Sequence, residues 1–210
     1  MIYINKSRTP VIFSDIKRKY HDYDELHEED KIMMKSILLQ EQGNLCAYCM
    51  TRIQADTSTI EHYIPRHGQS GDISLSLEYR NLFAVCRRTR GEKAKNKTCD
   101  DRKGDRLISI NPSRNSDIEQ IRYKTDGTIC SDNASFNQDL DNTLNLNDAT
   151  LKSNRKAAVD AVLLQLSKRK KGSWNKEYIQ KVLNTYQCAN PKTEYVGIII
   201  YRLQKKLKYL

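Results

Sequence analysis

Four of the six cysteines lie in one short stretch, as Cys46-Ala-Tyr-Cys49, then Cys86, then Cys99. A two-residue gap between thiols is knuckle spacing, which aims both sulfurs at one ion. A tetrahedral structural zinc needs four nitrogen or sulfur ligands. Cys86 and Cys99 supply the missing pair if the polar loop 87–98 folds back on itself. The usual second knuckle is another two-residue gap, so this spacing departs from the common pattern. The competing reading leaves Cys86 and Cys99 as buried free thiols, with Cys46 and Cys49 as a redox pair. Met1-Ile-Tyr-Ile-Asn-Lys lacks the basic region and apolar core of a signal peptide, which makes the cytosol the expected compartment. Cysteines in that compartment point to metal or burial rather than to disulfides. Cys130 and Cys188 have neither a nearby partner nor a nearby histidine and are expected to be buried structural thiols.

Between and beside the four cysteines stand Glu61-His62, Asn81 and Asp100. Hydrolysing a phosphodiester requires an activated water, neutralised phosphate charge and help for the departing oxygen. One histidine and one divalent cation can divide that work. His62 is the candidate general base, since an imidazole titrates near neutrality. Glu61 and Asp100 are the candidate metal ligands, and their oxygens suit Mg²⁺ or Mn²⁺ better than zinc. On a strand Glu61 points away from His62, so a shared site needs a twist or distortion. Asn81, on the facing strand, is placed to orient the His62 ring. Asp101 and Asp105 rank below Asp100 as ligands, and His67 reads as a loop histidine. His21 and His27 read as solvated.

Charge fits a polyanionic partner: the net charge is +10 and the pI near 9.3. Its distribution says more. Residues 21–30 carry six acids and no Lys or Arg, so they are poorly suited to lie on a nucleic acid. Residues 87–106 carry nine Lys or Arg against four acids, beside the proposed site. Arg66, Arg87, Arg88 and Lys103 are the candidate phosphate contacts, with a solvated loop side chain as the competing reading for each arginine.

In chain order, Met1 to Ile4 reads as a short edge strand, and a helix is expected from about Glu28 to Gln42, closed by Gly43. Thr57 to Ile64 and Tyr79 to Cys86 read as strands, the first ending at Pro65. Loops are expected over 66–76 and 87–98, then a short helix near Cys99 or Asp100 with Thr98 as its N-cap. Ile108 to Pro112 reads as another strand, and Ile121 to Cys130 as a hairpin turning at Asp126-Gly127. Ser131 to Asn147 reads as a loop packed through Phe136, Leu140, Leu144 and Leu146. Three helices follow, at about Asp148 to Ser167, Asn175 to Gln187 and Thr193 to Tyr209. They are broken at Gly172-Ser173 and Asn190-Pro191. The first should bury Leu151, Val159, Val162, Leu163 and Leu166. The basic run Lys168-Arg-Lys-Lys171 reads equally as a solvated helix end or a nucleic-acid contact. The last helix is amphipathic, with core packing as its first role and partner docking as its second.

These residues resemble the HNH, or ββα-metal, endonuclease family. Its acid-His pair, its Asn-Leu segment and its ligand just after the last zinc-ribbon cysteine are matched by Glu61-His62, Asn81-Leu82 and Cys99-Asp100. Lys103-Gly104 matches the family's Lys-Gly ending. Glu61 is more commonly Asp there, and Asp100 more commonly His or Asn. The resemblance extends over most of the chain to PtuB-like HNH proteins of Septu and retron anti-phage systems. It is carried by Met1-Ile-Tyr-Ile4, Ile60 to Arg66, Cys99 to Asp105, Leu144-Asn-Leu-Asn147 with Asn154-Arg155, and the closing helix. It implies a bacterial nuclease acting on DNA or RNA under an SMC/ABC-like ATPase partner, PtuA.

The expected fold is α+β: an N-terminal strand and helix (1–45), a zinc-braced nuclease core (46–107), and a hairpin with a helical C-terminal region (108–210). The rival reading is a catalytically inactive zinc-ribbon module that binds nucleic acid or acts as an adaptor.

Overall fold

The acidic run of residues 21–30 leads into a helix as expected, but a helix also precedes it. The computed structural model describes residues 1–168 and 175–210. Pro10, with its fixed φ, starts α1 (Val11–Lys19), which buries Phe13 and Ile16. α2 (Glu28–Glu41) has Glu28, Glu29 and Asp30 in its first turn, at the positive end of the helix dipole. Its end is a Schellman motif: Gly43 N–H donates to Gln40 O (3.2 Å) and Asn44 N–H to Leu39 O (2.8 Å). Gly43 takes φ +63, and a Cβ there would meet Lys192 Cγ at 2.6 Å.

β1 (Ser58–His62) and β2 (Leu82–Cys86) pair antiparallel, from Ser58 opposite Cys86 to His62 opposite Leu82. Tyr79 to Asn81, expected as strand, form a 3₁₀ turn that leads into β2. Every residue of β2 is buried. Its free edge is closed by a side chain rather than a strand: Gln42 accepts from Ala84 N (2.8 Å) and donates to Ala84 O (2.7 Å). A two-stranded ribbon is marginal on its own in water, so this one depends on what surrounds it. α3 (Cys99–Lys103) follows Thr98, but the Thr98 side chain makes no cap bond. Its hydroxyl accepts from Arg88 instead. Cys99 adopts φ +55, and its N–H donates to Leu144 O at 2.9 Å.

Beyond α3 come α4 (Asn115–Ile118) and the expected hairpin, β3 (Ile121–Tyr123) with β4 (Ile129–Ser131). Two expected strands are absent. Residues 108–112 form no strand: the Asp139 carboxylate takes the N–H groups of Ser109 (2.6 Å) and Ile110 (3.2 Å), leaving no ladder to form. Met1 to Ile4 makes one such bond, Ile4 N–H to Pro112 O at 2.9 Å. The expected loop 131–147 is largely helical, with α5 (Ala134–Gln138) and a π-helical turn over Asp139–Thr143. Phe136, Leu140, Leu144 and Leu146 are buried as expected. The asparagines of this segment act as backbone substitutes. Asn147 brackets Ile129 through both its N–H and C=O (2.9 Å each), and Asn137 does the same for Ser131.

α6 (Ala149–Ser167), α7 (Lys176–Cys188) and α8 (Val196–Leu207) match the expected helices. Asp148 caps α6, accepting from Thr150 N and Leu151 N. The basic run at 169–171 and the Gly172-Ser173 break lie outside the described residues. Leu163 is exposed at 37%, while Arg155 takes the buried position on α6 at 1% exposure. The Arg155 guanidinium donates to Gly127 O (2.6 Å) and Leu146 O (2.7 Å), tying the hairpin turn to the asparagine-rich segment. One apolar cluster runs from Phe13 through Tyr48 and Phe83 to Ile198, so all three segments share a core. Cys188 is exposed and Cys130 half-buried, against the expectation for both: Cys188 ends α7 on its outer side. No described helix is long and apolar enough to cross a membrane.

Candidate metal centre and active site

The four cysteines converge. Their sulfurs all lie within 4.8 Å of one another and all four residues are buried. Cys46 Sγ is 3.9 Å from Cys99 Sγ, and Cys49 Sγ is 3.7 Å from Cys86 Sγ. Zinc–sulfur bonds of about 2.3 Å in a tetrahedron place sulfurs about 3.8 Å apart, so the donor set fits a structural zinc. All six cysteines are free of disulfides. Local geometry builds the knuckle: Cys46 N–H donates to Thr51 O (2.9 Å), Met50 N–H to Cys46 O (3.0 Å), and Met50 turns through φ +65. Hydrogen bonds within the cluster hold the Cys49 thiol well below its ordinary pKa and push Cys86 and Cys99 up, so the four sulfurs without a cation hold one thiolate among shared protons. Cys99 comes from the far side, held there by Leu144 O.

A second cluster lies where β1 meets α3. Glu61 is 6% exposed. Its Oε1 accepts from Tyr48 Oη (3.0 Å) and pairs with Lys103 Nζ (2.8 Å). Burial, followed by the charge and hydrogen bonding of Asp100, pushes the Glu61 carboxyl well above its ordinary pKa. Two carboxylates side by side, Glu61 buried and Asp100 half-buried, favour a proton or a cation between them. Tyr48 is completely buried and its own pKa is raised well above the usual value, chiefly by that burial, so it serves as a donor to Glu61.

His62 faces the other way, as strand alternation requires. Its Nε2 is 2.9 Å from Ser76 O. A carbonyl only accepts, so Nε2 carries the proton and Nδ1 keeps a free lone pair. Burial, over the opposing backbone bond to Ser76, lowers the His62 pKa to about 4, which keeps the ring neutral at pH 7. Asp100 acts on His62 as well as on Glu61, since its charge favours protonation of both. The Tyr23 ring lies edge-on to the imidazole, centroids 4.9 Å apart.

Asn81 does not touch the ring it was expected to orient. Its amide accepts from Ile64 N (2.7 Å) and donates to Ile64 O (3.0 Å) and Leu75 O (3.1 Å). It fastens the loop after β1 to the segment that presents Ser76, and Ser76 meets the ring. Lys103 is a second correction. At 1% exposure, with Nζ on Glu61 and on His62 O (3.1 Å), it is an internal counter-ion with no reach to a phosphate at the surface. Arg66 pairs with Asp24 at 2.7 Å. Arg87 and Arg88 are exposed on the loop after β2. Asp101 accepts from Thr89 (2.9 Å), and Asp105 and His67 are exposed. Tyr23, Tyr48 and Ser76 escape sequence reasoning. Tyr48 sits inside the knuckle and Tyr23 inside the acidic run, and nothing in either neighbourhood signals a partner some 13 or 39 positions away.

No family model matches the chain. Over 88 residues the chain is 32% identical to a protein of Vibrio cholerae serotype O1 biovar El Tor named as a retron HNH endonuclease. This chain is similar to an HNH nuclease. The match covers 42% of the chain and 42% of the relative's own length.

Proposed function

We propose that this protein is a metal-dependent endonuclease of the HNH type, hydrolysing phosphodiester bonds in DNA or RNA. The observation that carries the reading is the placing of the Glu61 and Asp100 carboxylates together, with His62 next to Glu61 on β1. All three stand on a small strand–strand–helix unit braced by the cysteine cluster. Binding or scaffolding alone gives no reason to set a buried acid against a second carboxylate next to a histidine.

Glu61 and Asp100 would hold the catalytic cation, and their hard oxygen donors suit Mg²⁺ or Mn²⁺. That ion would supply charge neutralisation at the phosphate and at the departing oxygen. His62 would take the proton of the attacking water on Nδ1, with Ser76 O fixing the tautomer through Nε2. Lys103 and Tyr48 position Glu61 through Oε1, which leaves its other oxygen free for the cation. Asn81 positions His62 at one remove, by holding the loop that carries Ser76. Arg87 and Arg88 would contribute salt-sensitive affinity for the phosphate backbone.

The likeness to a retron nuclease supports a defence role. The wider resemblance to PtuB-like proteins supports control by an SMC/ABC-like ATPase in the bacterial cytoplasm. The test is cleavage of plasmid DNA and total RNA with Mg²⁺ or Mn²⁺, comparing wild type with His62→Ala, with and without that ATPase. Cutting that vanishes in a folded, zinc-loaded His62→Ala protein supports the reading. No cutting under any condition hands the case to the inactive binding or adaptor module.

A further inference from the structure

The candidate base is closed off. His62 is 8% exposed, and the ring packed edge-on against it, Tyr23, belongs to the acidic turn between α1 and α2. The neighbouring residue, Asp24, reaches out to Arg66, its Oδ1 2.7 Å from the guanidinium. Arg66 also lies over the Tyr23 ring, with Cζ 5.2 Å from the centroid, and Lys31 Nζ stands at the same distance. Asp24 is thus an anion among cations. Its pairing with Arg66 leads the causes that hold its carboxyl below the usual pKa, with the charges of His67 and Lys31 adding to it. Arg66 is close enough to His62 for its charge to oppose protonation of the ring. A guanidinium beside a general base is where a nuclease would take a substrate phosphate, because its planar fork matches phosphate as well as carboxylate.

The turn is built to move locally. Tyr20 and Leu26 are buried and anchor its two ends, and Tyr20 Oη donates to Asp30 at 2.6 Å. Between them the tip is held by short-range bonds, such as Asp24 N–H and Glu25 N–H to Asp22 Oδ1. The Asp24 side chain is 65% exposed, so its ion pair is weak and yields readily to a competing anion. Apart from Tyr23, which packs on the core, the tip has few buried contacts, and exposed hydrogen bonds of this kind mark the parts of a fold that open at low cost.

We propose that Arg66 and Lys31 form a backbone-phosphate subsite beside His62, and that the Tyr23–Asp24 tip fills it as an internal substitute for nucleic acid. Tyr23 covers the base, Asp24 takes the place of the phosphate, and an incoming strand must displace both. Three of the six acids of residues 21–30, Asp22, Asp24 and Glu25, lie on this tip and then have a use: they repel nucleic acid until the tip swings aside. The inference rests on the nuclease reading and adds a means of holding that site idle.

The test reads the cover without reading cleavage. Diethyl pyrocarbonate modifies neutral imidazole, and His21, His27 and His67 are exposed, so they serve as internal references. Labelling of the zinc-loaded full chain is followed residue by residue by mass spectrometry. Tyr23→Ala is expected to raise the His62 rate relative to the references by roughly two- to tenfold, the worth of one aromatic contact. Tyr23→Phe, which keeps the ring, should stay near wild type. Asp24→Asn is expected to tighten binding of a labelled oligonucleotide at low salt, with no divalent cation added, by about two- to fivefold, the scale of an exposed ion pair. An unchanged His62 rate in Tyr23→Ala, equal rates in Tyr23→Phe and Tyr23→Ala, or unchanged affinity in Asp24→Asn would each overturn the proposal. If labelling and affinity move as expected while no protein cuts any substrate, the cover stands and the nuclease reading fails. If His62-dependent cutting is found with neither change, only the cover falls.

Discussion

Replacing Cys99 by Ser is the sharpest test of how this fold is held. Cys46 and Cys99 are 53 positions apart, and Cys49 and Cys86 are 37 apart, so a shared ion closes long loops around a two-stranded ribbon. With Cys86 still tied to the knuckle, the loss of Cys99 releases only the segment between Cys86 and Cys99, thirteen positions long. In the chain-entropy account, closing such a loop is worth about 3 kcal/mol. That is a large part of a domain's total of roughly 5–15 kcal/mol, yet not all of it, so the variant should fold. Urea titration followed by circular dichroism should show a midpoint lower by about 1–1.5 M, for a slope of roughly 2–3 kcal/mol per M. Metal analysis should show zinc content falling, because a serine hydroxyl is a poor replacement for a thiolate. Cys188→Ser, at the exposed end of α7, is the control and should change stability by no more than about 0.5 kcal/mol. A Cys99→Ser protein with the wild-type midpoint and no loss of zinc would refute the four-sulfur site and return Cys99 to the status of a buried thiol.

Two further outcomes are expected. Arg155→Lys should cost about 2–3 kcal/mol, because one ammonium cannot serve both Gly127 O and Leu146 O and leaves a buried carbonyl unmet. Urea titration measures this, together with faster amide exchange at Ile129, and a loss below about 0.5 kcal/mol would contradict it. His62 is expected to make the fold sensitive to acid. Its pKa of about 4 in the folded state lies below the unfolded value near 6.5. The native state therefore binds fewer protons in that window, and stability falls as pH drops from about 6.5 to about 4, by up to about 3 kcal/mol. His62→Gln should lack that slope, and zinc release at low pH cancels in the difference between the two proteins. A flat difference curve would show that the ring is not buried neutral.

The sequence was most informative where chemistry is local. Glycine at the end of α2, Asp126-Gly127 between two short runs and Asp148 before α6 each act within a few residues, and each element formed where the residues placed it. Knuckle spacing is local too, so the cysteine cluster was readable. Three expectations failed because long-range partners intervened. Residues 108–112 formed no strand because Asp139 claimed the N–H groups of Ser109 and Ile110, and Lys103 turned inward because Glu61 lies buried opposite it. Asn81 gave its amide to the loop because the backbone of Ile64 and Leu75 comes within its reach. Residue type set the supply of thiols, carboxylates, imidazole and basic charge in this protein, since chemistry belongs to the side chain. Packing alone decided which carboxylate meets which cation, which carbonyl fixes the histidine tautomer and which aromatic covers it. Those pairings join side chains far apart in the chain, and burial is what makes each of them strong.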